Sequence, residues 1–367
     1  MIKVCHMTSA HGEEDVRIFH KECVSLAKAG YDTYLVERGE SREKNGVHIV
    51  GVGELPQNRR KRMTEGARKV YETAKALDAD IYHLHDPELL PYGLKLKRAG
   101  KKVIFDSHEH TAEAILEKTW ITPLVRMPVY WVYSAYQSSA CRKLDAIVTV
   151  TPHMVDYFKA INPKTAFVAN YPLLSEMTAD IPASEKRQLV GFAGGISAQW
   201  NHEKILAALE QLPDCRYCLC GAGSDAYMMK LQAMPAWDQV DFLGKIPHRE
   251  VAEKLSCCMA GMAVLTPGRN TGFQLGTMGN TKIFEEMMAG LPVVCTDFVL
   301  WREFVERYHC GICVDPESVD DIAAAIRYLV DHPDEARQMG ENGRRAVKEE
   351  FNWDVEEKKL LALYQNI

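Results

Sequence analysis

Lys282 and Glu285 stand three residues apart in the stretch GTMGNTKIFEEMMAGLPVVC, Gly276 to Cys295. On a helix that spacing puts an ammonium and a carboxylate on one face. Gly276, Gly279 and Asn280 make a flexible loop just before that helix, and Gly290 ends it ahead of an apolar strand. A glycine loop, a helix N-terminus and a lysine together can hold a diphosphate. A carboxylate one turn on can accept hydrogen bonds from ribose hydroxyls. The alternative is a surface Lys–Glu pair, worth about a few tenths of a kcal/mol.

Three further polar clusters follow predicted strands. They are His11-Gly12-Glu13-Glu14-Asp15 with Arg17, then His85-Asp86-Pro87-Glu88, then Asp106-Ser107-His108-Glu109-His110. Gly12 permits a tight turn, and the helix start after it offers free backbone N–H groups to an anion. Helix capping explains any one of them, Asp15 in particular. Three at one edge of one sheet point to a ligand site, because ligands bind at the carboxyl ends of parallel strands. Gly194-Gly195 end another strand and allow close ligand approach. That signal is weak alone, as is Gly221-Ala222-Gly223.

The elements that position these residues alternate along the chain. Strands are predicted over Ile2–Met7, Tyr34–Val36, Asp80–His85, Lys102–Phe105 and Asp145–Val150. Helices are predicted over Arg17–Lys28, Leu89–Arg98 and Met154–Lys159. The pattern restarts with strands over Leu189–Ala193, Tyr217–Cys220, Val240–Leu243, Gly261–Leu265 and Pro292–Cys295, followed by mostly helical Val319–Tyr364. Such alternation implies parallel sheets with helices on both faces. The expected fold is α/β, with two doubly wound Rossmann-like lobes facing across a cleft. The expected divisions are an acceptor-side lobe over 1–172, a linker over 173–188, a donor-nucleotide lobe over 189–350, and a final helix over 351–367 packing back on the first lobe.

The length of 367 residues suits two domains. A formal charge of −6 gives no sign of a nucleic-acid partner. No apolar run is long enough to cross a bilayer, and the opening residues do not read as a cleavable signal, so a cytoplasmic protein is expected. Of the eleven cysteines, Cys5, Cys23, Cys220 and Cys295 fall inside apolar patterns and read as small buried hydrophobes. Cys215, Cys218 and Cys220, and the pair Cys310 and Cys313, read as packing rather than zinc ligands. The aromatic segment Trp120 to Tyr136 has two readings. The favoured one is a core-packed helix, and the other is an amphipathic surface touching a membrane or a lipid-linked acceptor.

KIFEEMMAGLPVVCTDF resembles the helix–strand signature of the retaining GT-B glycosyltransferases of the large family-four type. The resemblance extends to HDPELLP, DSHE and the opening VCHMTSAH…DVRIFHKECVSLAKAGYD, and more weakly to FAGGIS, FLGKIP and EEFNWDVEEKKLLALY. It implies a nucleotide-sugar donor, UDP-linked by preference, and a glycan or lipid-linked acceptor in envelope polysaccharide synthesis. It also implies no cofactor and no required metal. Glu285 looks like the ribose-binding glutamate. Thr277, Gly279, Asn280, Thr281 and Lys282 look like the donor sugar and diphosphate loop. Gly12, Gly194 and Gly195 match the family's glycine loops, and His108 matches the histidine that contacts the transferring sugar. Acceptor-side candidates are Asp15, Arg17, His85, Asp86 and Glu109. Two departures stand out. Thr277 occupies a position where many relatives carry glutamate, and Ser197 to Lys204 lacks the usual Arg–Lys pair. Lys204 is the one plausible partner there, and Arg269 joins Lys282 as a diphosphate candidate. The alternatives on the same fold are a nucleotide-sugar epimerase and a non-catalytic nucleotide-sugar or glycan binder.

Overall fold

Most strands of the first half feed a helix that returns over the sheet, as runs of fully buried strand residues require. The computed structural model describes residues 1–117, 121–177 and 188–367. The chain forms two compact units. One is Met1–Asn170 with Asp354–Ile367, and the other is Tyr171–Trp353. The polar stretch read as a linker falls mainly on residues 178–187, outside the described residues.

The first unit begins with β1 (Lys3–Met7). A helix follows over Val16–Cys23 and runs on through Val24–Lys28 (α1), then come β2 (Asp32–Glu37), β3 (Arg42–Lys44) and β4 (Val47–Gly51). A long helix over Arg59–Lys61, Arg62–Gly66 and Ala67–Ala76 (α2) leads to β5 (Ile81–Leu84), α3 (Leu90–Arg98), β6 (Lys102–Ser107), α4 (Thr111–Glu117) and α5 (Pro123–Cys141). Next come β7 (Ala146–Thr149), α6 (Pro152–Lys159) and β8 (Thr165–Phe167). The strand order is β3-β4-β2-β1-β5-β6-β7-β8. Among the named strands only β3 pairs antiparallel, with β4, across Asn45 (φ 52°) and Gly46 (φ 76°). Two consecutive left-handed residues make the hairpin turn that an Asn-Gly pair favours. One face of the sheet packs Cys5, Met7, Tyr82, Leu84, Val103 and Phe105 into a core. On the other, Ile18, Phe19 and Cys23 of α1 meet Leu35, Val47 and Ile49.

The second unit has β9 (Leu189–Ile196), α7 (His202–Leu209), β10 (Arg216–Gly223), α8 (Asp225–Gln232), β11 (Val240–Gly244), α9 (His248–Ser256) and β12 (Ala260–Ala263). It continues with α10 (Thr281–Met288), β13 (Val293–Thr296), α11 (Val299–Tyr308), β14 (Gly311–Val314), α12 (Val319–Asp331) and α13 (Pro333–Glu349). Its sheet is parallel throughout, in the order β11-β10-β9-β12-β13-β14. Both sheets reverse their winding at the first strand, between β1 and β5 and between β9 and β12. The closing helix Trp353–Gln365 (α14) belongs to the first unit from Asp354 onward.

The favoured reading of the aromatic segment, a core-packed helix, is overturned. Trp120 lies outside the described residues. In α5, Leu124 is 89% exposed, Val132 73% and Trp131 63%, and only Gln137, Ala140 and Cys141 are buried. Apolar residues surround this helix instead of following one stripe, so a single sheet face cannot cover them. The cysteines are all free thiols, and nine of the eleven are buried.

Candidate functional site

At the edge of the second unit, β9 ends on Gly194 and Gly195. Gly194 has φ +150°, and a Cβ there would lie 2.0 Å from Lys282 Cε. The glycine therefore makes room for the lysine stem, while Gly195 has nothing within 4 Å of a Cβ. The Lys282 ammonium lies 5.0 Å from the centre of the Trp200 ring, a cation–π placement. Burial lowers the Lys282 pKa, and Glu285 and Glu286 oppose that shift. Asn280 caps α10 by accepting the Lys282 backbone N–H at 3.0 Å.

Thr277 is 8% exposed, and the loop consumes it. Its hydroxyl accepts the Gly279 N–H at 3.1 Å, and its carbonyl accepts the indole N–H of buried Trp301 at 2.7 Å. Thr281 opens α10, and Glu285 is half-buried one turn after Lys282. Two donor candidates are engaged elsewhere. Lys204 pairs with Glu317 at 2.5 Å, and the Arg269 guanidinium sits 5.9 Å from the Phe273 ring. Glu286, next to the ribose candidate, is buried against Gly261, and burial pushes its carboxyl well above the usual range.

In the first unit, the ends of β1, β5 and β6 gather the three polar clusters. Asp86 is buried and accepts from Thr8 Oγ1 (2.9 Å), Ser9 N (2.6 Å) and Ala10 N (3.2 Å). His11 lies 3.1 Å from its other oxygen. Burial opposes ionisation of Asp86, but the His11 hydrogen bond and charge outweigh it and hold the carboxyl down at about 2. Reciprocally, Asp86 overcomes burial and raises the His11 pKa. The His11 ring packs 4.8 Å from His108, whose Nε2 lies 3.0 Å from Asp106 and 3.3 Å from His85 Nδ1. Burial pushes His85 down to about 4, so its neutral ring passes the network inward. His85 Nε2 meets His6 Nδ1 at 2.8 Å, and His6 Nε2 meets the Tyr364 hydroxyl at 3.2 Å. That hydroxyl lies 2.8 Å from His83 Nδ1.

Arg17 is buried away from an acceptor, and half-buried Asp15 is engaged in capping. Asp15 caps α1, accepting Arg17 N at 2.9 Å and Ile18 N at 3.1 Å. Arg17 is 3% exposed and bonds Asp106 at 2.8 and 3.2 Å, with Glu22 at 3.1 Å. His85 and Asp86 are each 2% exposed and contact His108 and His11. Gly12 and Glu109 are exposed loop residues, Gly12 with its Cβ position 3.8 Å from Arg38.

Sequence reasoning passed over His6, Glu22, His83 and Tyr364. His83-Leu84-His85 alternates on one strand face, and His6 lies in register with His83, which is the signal that could have found the histidines. Two groups here could hold a metal ion. They are His6, Glu22, His83 and His85, and separately His85, Asp106 and His108, with ligand atoms within 4.8 Å of one another. Among the described residues no cysteine belongs to such a group.

The model of the glycosyl transferases group 1 matches residues 175–346, and that of glycosyltransferase family 4 matches 17–170. An MMP alpha-(1->4)-mannosyltransferase of Mycolicibacterium hassiacum is 31% identical over 115 residues. That match covers 31% of this chain and 26% of the mannosyltransferase, about a quarter of its length. The sucrose-phosphate synthase structure from Thermosynechococcus elongatus superposes with a TM-score of 0.78 at 17% identity, over 100% of this chain and 99% of the other. Anabaena Alr3699/HepE in complex with UDP and glucose gives 0.73 at 13% identity, over 100% of both chains. These likenesses show the GT-B fold. With the two models spanning its two units between them, the chain belongs to the glycosyl transferases of group 1 and family 4.

Proposed function

We propose that the protein transfers a sugar, with retention of configuration, from a nucleotide-sugar donor to a glycan or lipid-linked acceptor in envelope glycoconjugate synthesis, at the inner face of the cell membrane. UDP is the favoured nucleotide. The observation that carries this reading is Lys282 laid across Gly194 and over Trp200, with Glu285 one turn on. That the similar HepE fold is known with UDP and glucose supports it. In this reading Glu285 binds the ribose, and Lys282 with the start of α10 holds the diphosphate. The acceptor oxygen bonds to the anomeric carbon as the bond to the leaving phosphate breaks. The acceptor proton passes to that phosphate. Lys282 stabilises the leaving charge without a metal, and His108, braced by Asp106 and His85, positions the sugar. Exclusion of water limits hydrolysis.

Calorimetric titration of UDP, GDP and ADP tests the donor assignment. We expect one nucleotide to bind, and Glu285→Ala to weaken it about 10- to 100-fold, as loss of hydrogen bonds to a charged group does. No binding to folded wild-type protein would sink the reading.

The exposed apolar face of α5 supports contact with a membrane surface, since Trp131, Val132 and Leu124 have no cover in their own unit. No described helix is long and apolar enough to cross a membrane. The protein should co-float with phosphatidylglycerol-containing vesicles, and a Leu124→Ser/Trp131→Ser/Val132→Ser variant should lose about tenfold or more of that partition. Equal flotation of both proteins would remove α5 from the contact.

A further inference from the structure

Four side chains of the first unit close around one point in its interior. His6 comes from β1, His83 from β5, His85 from just past the end of β5, and Glu22 from the helix over Val16–Cys23. All four side chains are at 0% exposure. Glu22 Oε2 stands 3.9 Å from His6 Nδ1, 3.8 Å from His83 Nδ1 and 3.9 Å from His85 Nε2. Such gaps are too long for hydrogen bonds and too short to seat a water between the atoms. Neither Glu22 oxygen accepts a hydrogen bond from a described residue. Its Oε1 lies 3.1 Å from Arg17 Nε, but that arginine is shared with Asp106 at 2.8 Å. The Oε2 edge is the one turned to the three rings. The helix that carries Glu22 is wound wide, with the His20 N–H reaching Asp15 O five residues back at 3.4 Å, a form frequent at functional sites.

Zinc bonds nitrogen and carboxylate oxygen at about 2.0–2.2 Å, so neighbouring ligand atoms of a tetrahedral site stand about 3.4 Å apart. The Glu22 gaps need to close by about half an ångström, and the 2.8 Å contact of His6 Nδ1 with His85 Nε2 to open by as much. Three imidazoles and one carboxylate suit zinc, whereas magnesium and calcium take oxygen shells. The outer contacts fit too, since a ligating histidine hands its other ring N–H to a fixed acceptor. His85 Nδ1 lies 3.5 Å from Asp106 Oδ2, and His6 Nε2 lies 3.2 Å from the Tyr364 hydroxyl. That hydroxyl also sits 2.8 Å from His83 Nδ1, a bond that an ion at this nitrogen replaces. We propose that His6, Glu22, His83 and His85 bind one zinc ion as a structural site inside the first unit. Binding releases any proton that Glu22 shares with Asp106. With its ligands fully enclosed, the ion touches no substrate. It ties β1, β5 and α1 together and fixes the His85 ring, whose Nδ1 lies 3.3 Å from His108.

Titration of cobalt(II) into the full chain, stripped of metal with a chelator and free of any affinity tag, tests this. One ion per chain is expected, with the strong visible absorption of tetrahedral cobalt, and zinc should displace it. A weak octahedral spectrum, or no ion retained by folded wild-type protein, overturns the site. Glu22→Gln and His83→Gln should each weaken zinc binding about tenfold or more, while His108→Gln binds as the wild type does. Circular dichroism checks that the variants fold, and the wild-type cobalt spectrum decides the matter if they do not. Unchanged zinc affinity in both Glu22→Gln and His83→Gln overturns the proposal. So does a loss confined to His108→Gln, which would place the ion on His85, Asp106 and His108 instead. Nucleotide binding is read separately, so failure of the donor assignment leaves the zinc site standing, and the reverse.

Discussion

Lys282→Ala is expected to lower kcat about 10²- to 10³-fold, the loss typical when one group aimed at a developing anion is removed. The expectation comes from placement. The ammonium is held over Trp200 at 5.0 Å, and burial has stripped part of its hydration. A charge fixed in this way needs little rearrangement as the diphosphate leaves. Donor KM should change less than kcat, because the leaving charge is largest in the transition state. Gly194→Ala should cause a related loss with every charge retained, since its Cβ would fall 2.0 Å from Lys282 Cε. Steady-state turnover of the identified donor, with NDP release followed over time, measures both. Full kcat in Lys282→Ala would transfer the leaving-group task to other residues.

Arg17→Met is expected to destabilise the first unit by about 3–5 kcal/mol, the range for a buried ion pair that loses one partner. Asp106 and Glu22 are both fully buried, and Arg17 contacts each of them. Burial disfavours the Asp106 anion, and Arg17 is the foremost group that offsets it, keeping the carboxyl well below its usual range. Methionine fills part of the volume and supplies no charge, so the cost falls on Asp106. Urea unfolding followed separately for the first unit gives the value from the midpoint shift at constant slope. A change under about 1 kcal/mol would mean that Asp106 takes up a proton with little penalty.

These two residues also show what could be read from sequence. The fold class was legible because strand–helix alternation is a local pattern, and each buried parallel strand announces itself as an apolar run. That Lys282 and Glu285 share one helix was legible for the same reason. Arg17 was misplaced because its nearest sequence neighbours are acidic capping residues. Its actual partner, Asp106, is distant in sequence and arrives through sheet register. The β3–β4 hairpin was passed over because Arg42–Lys44 is polar, although Asn45-Gly46 marks the turn. Lys204 and Arg269 were chosen by charge, and only tertiary structure shows Glu317 and Phe273 beside them. In α5, aromatic content suggested burial, whereas the arrangement around the helix decided exposure.

The Tyr364 hydroxyl lies between His6 and His83, and Glu356 accepts the Ala169 N–H at 2.8 Å, so residues after 353 finish the interior of the unit that residue 1 begins. During synthesis the first unit must therefore wait, its histidine network uncapped, until the entire second unit has been made. Loss of Tyr364 would reach the histidines behind His108 before it disturbed any residue of the second sheet.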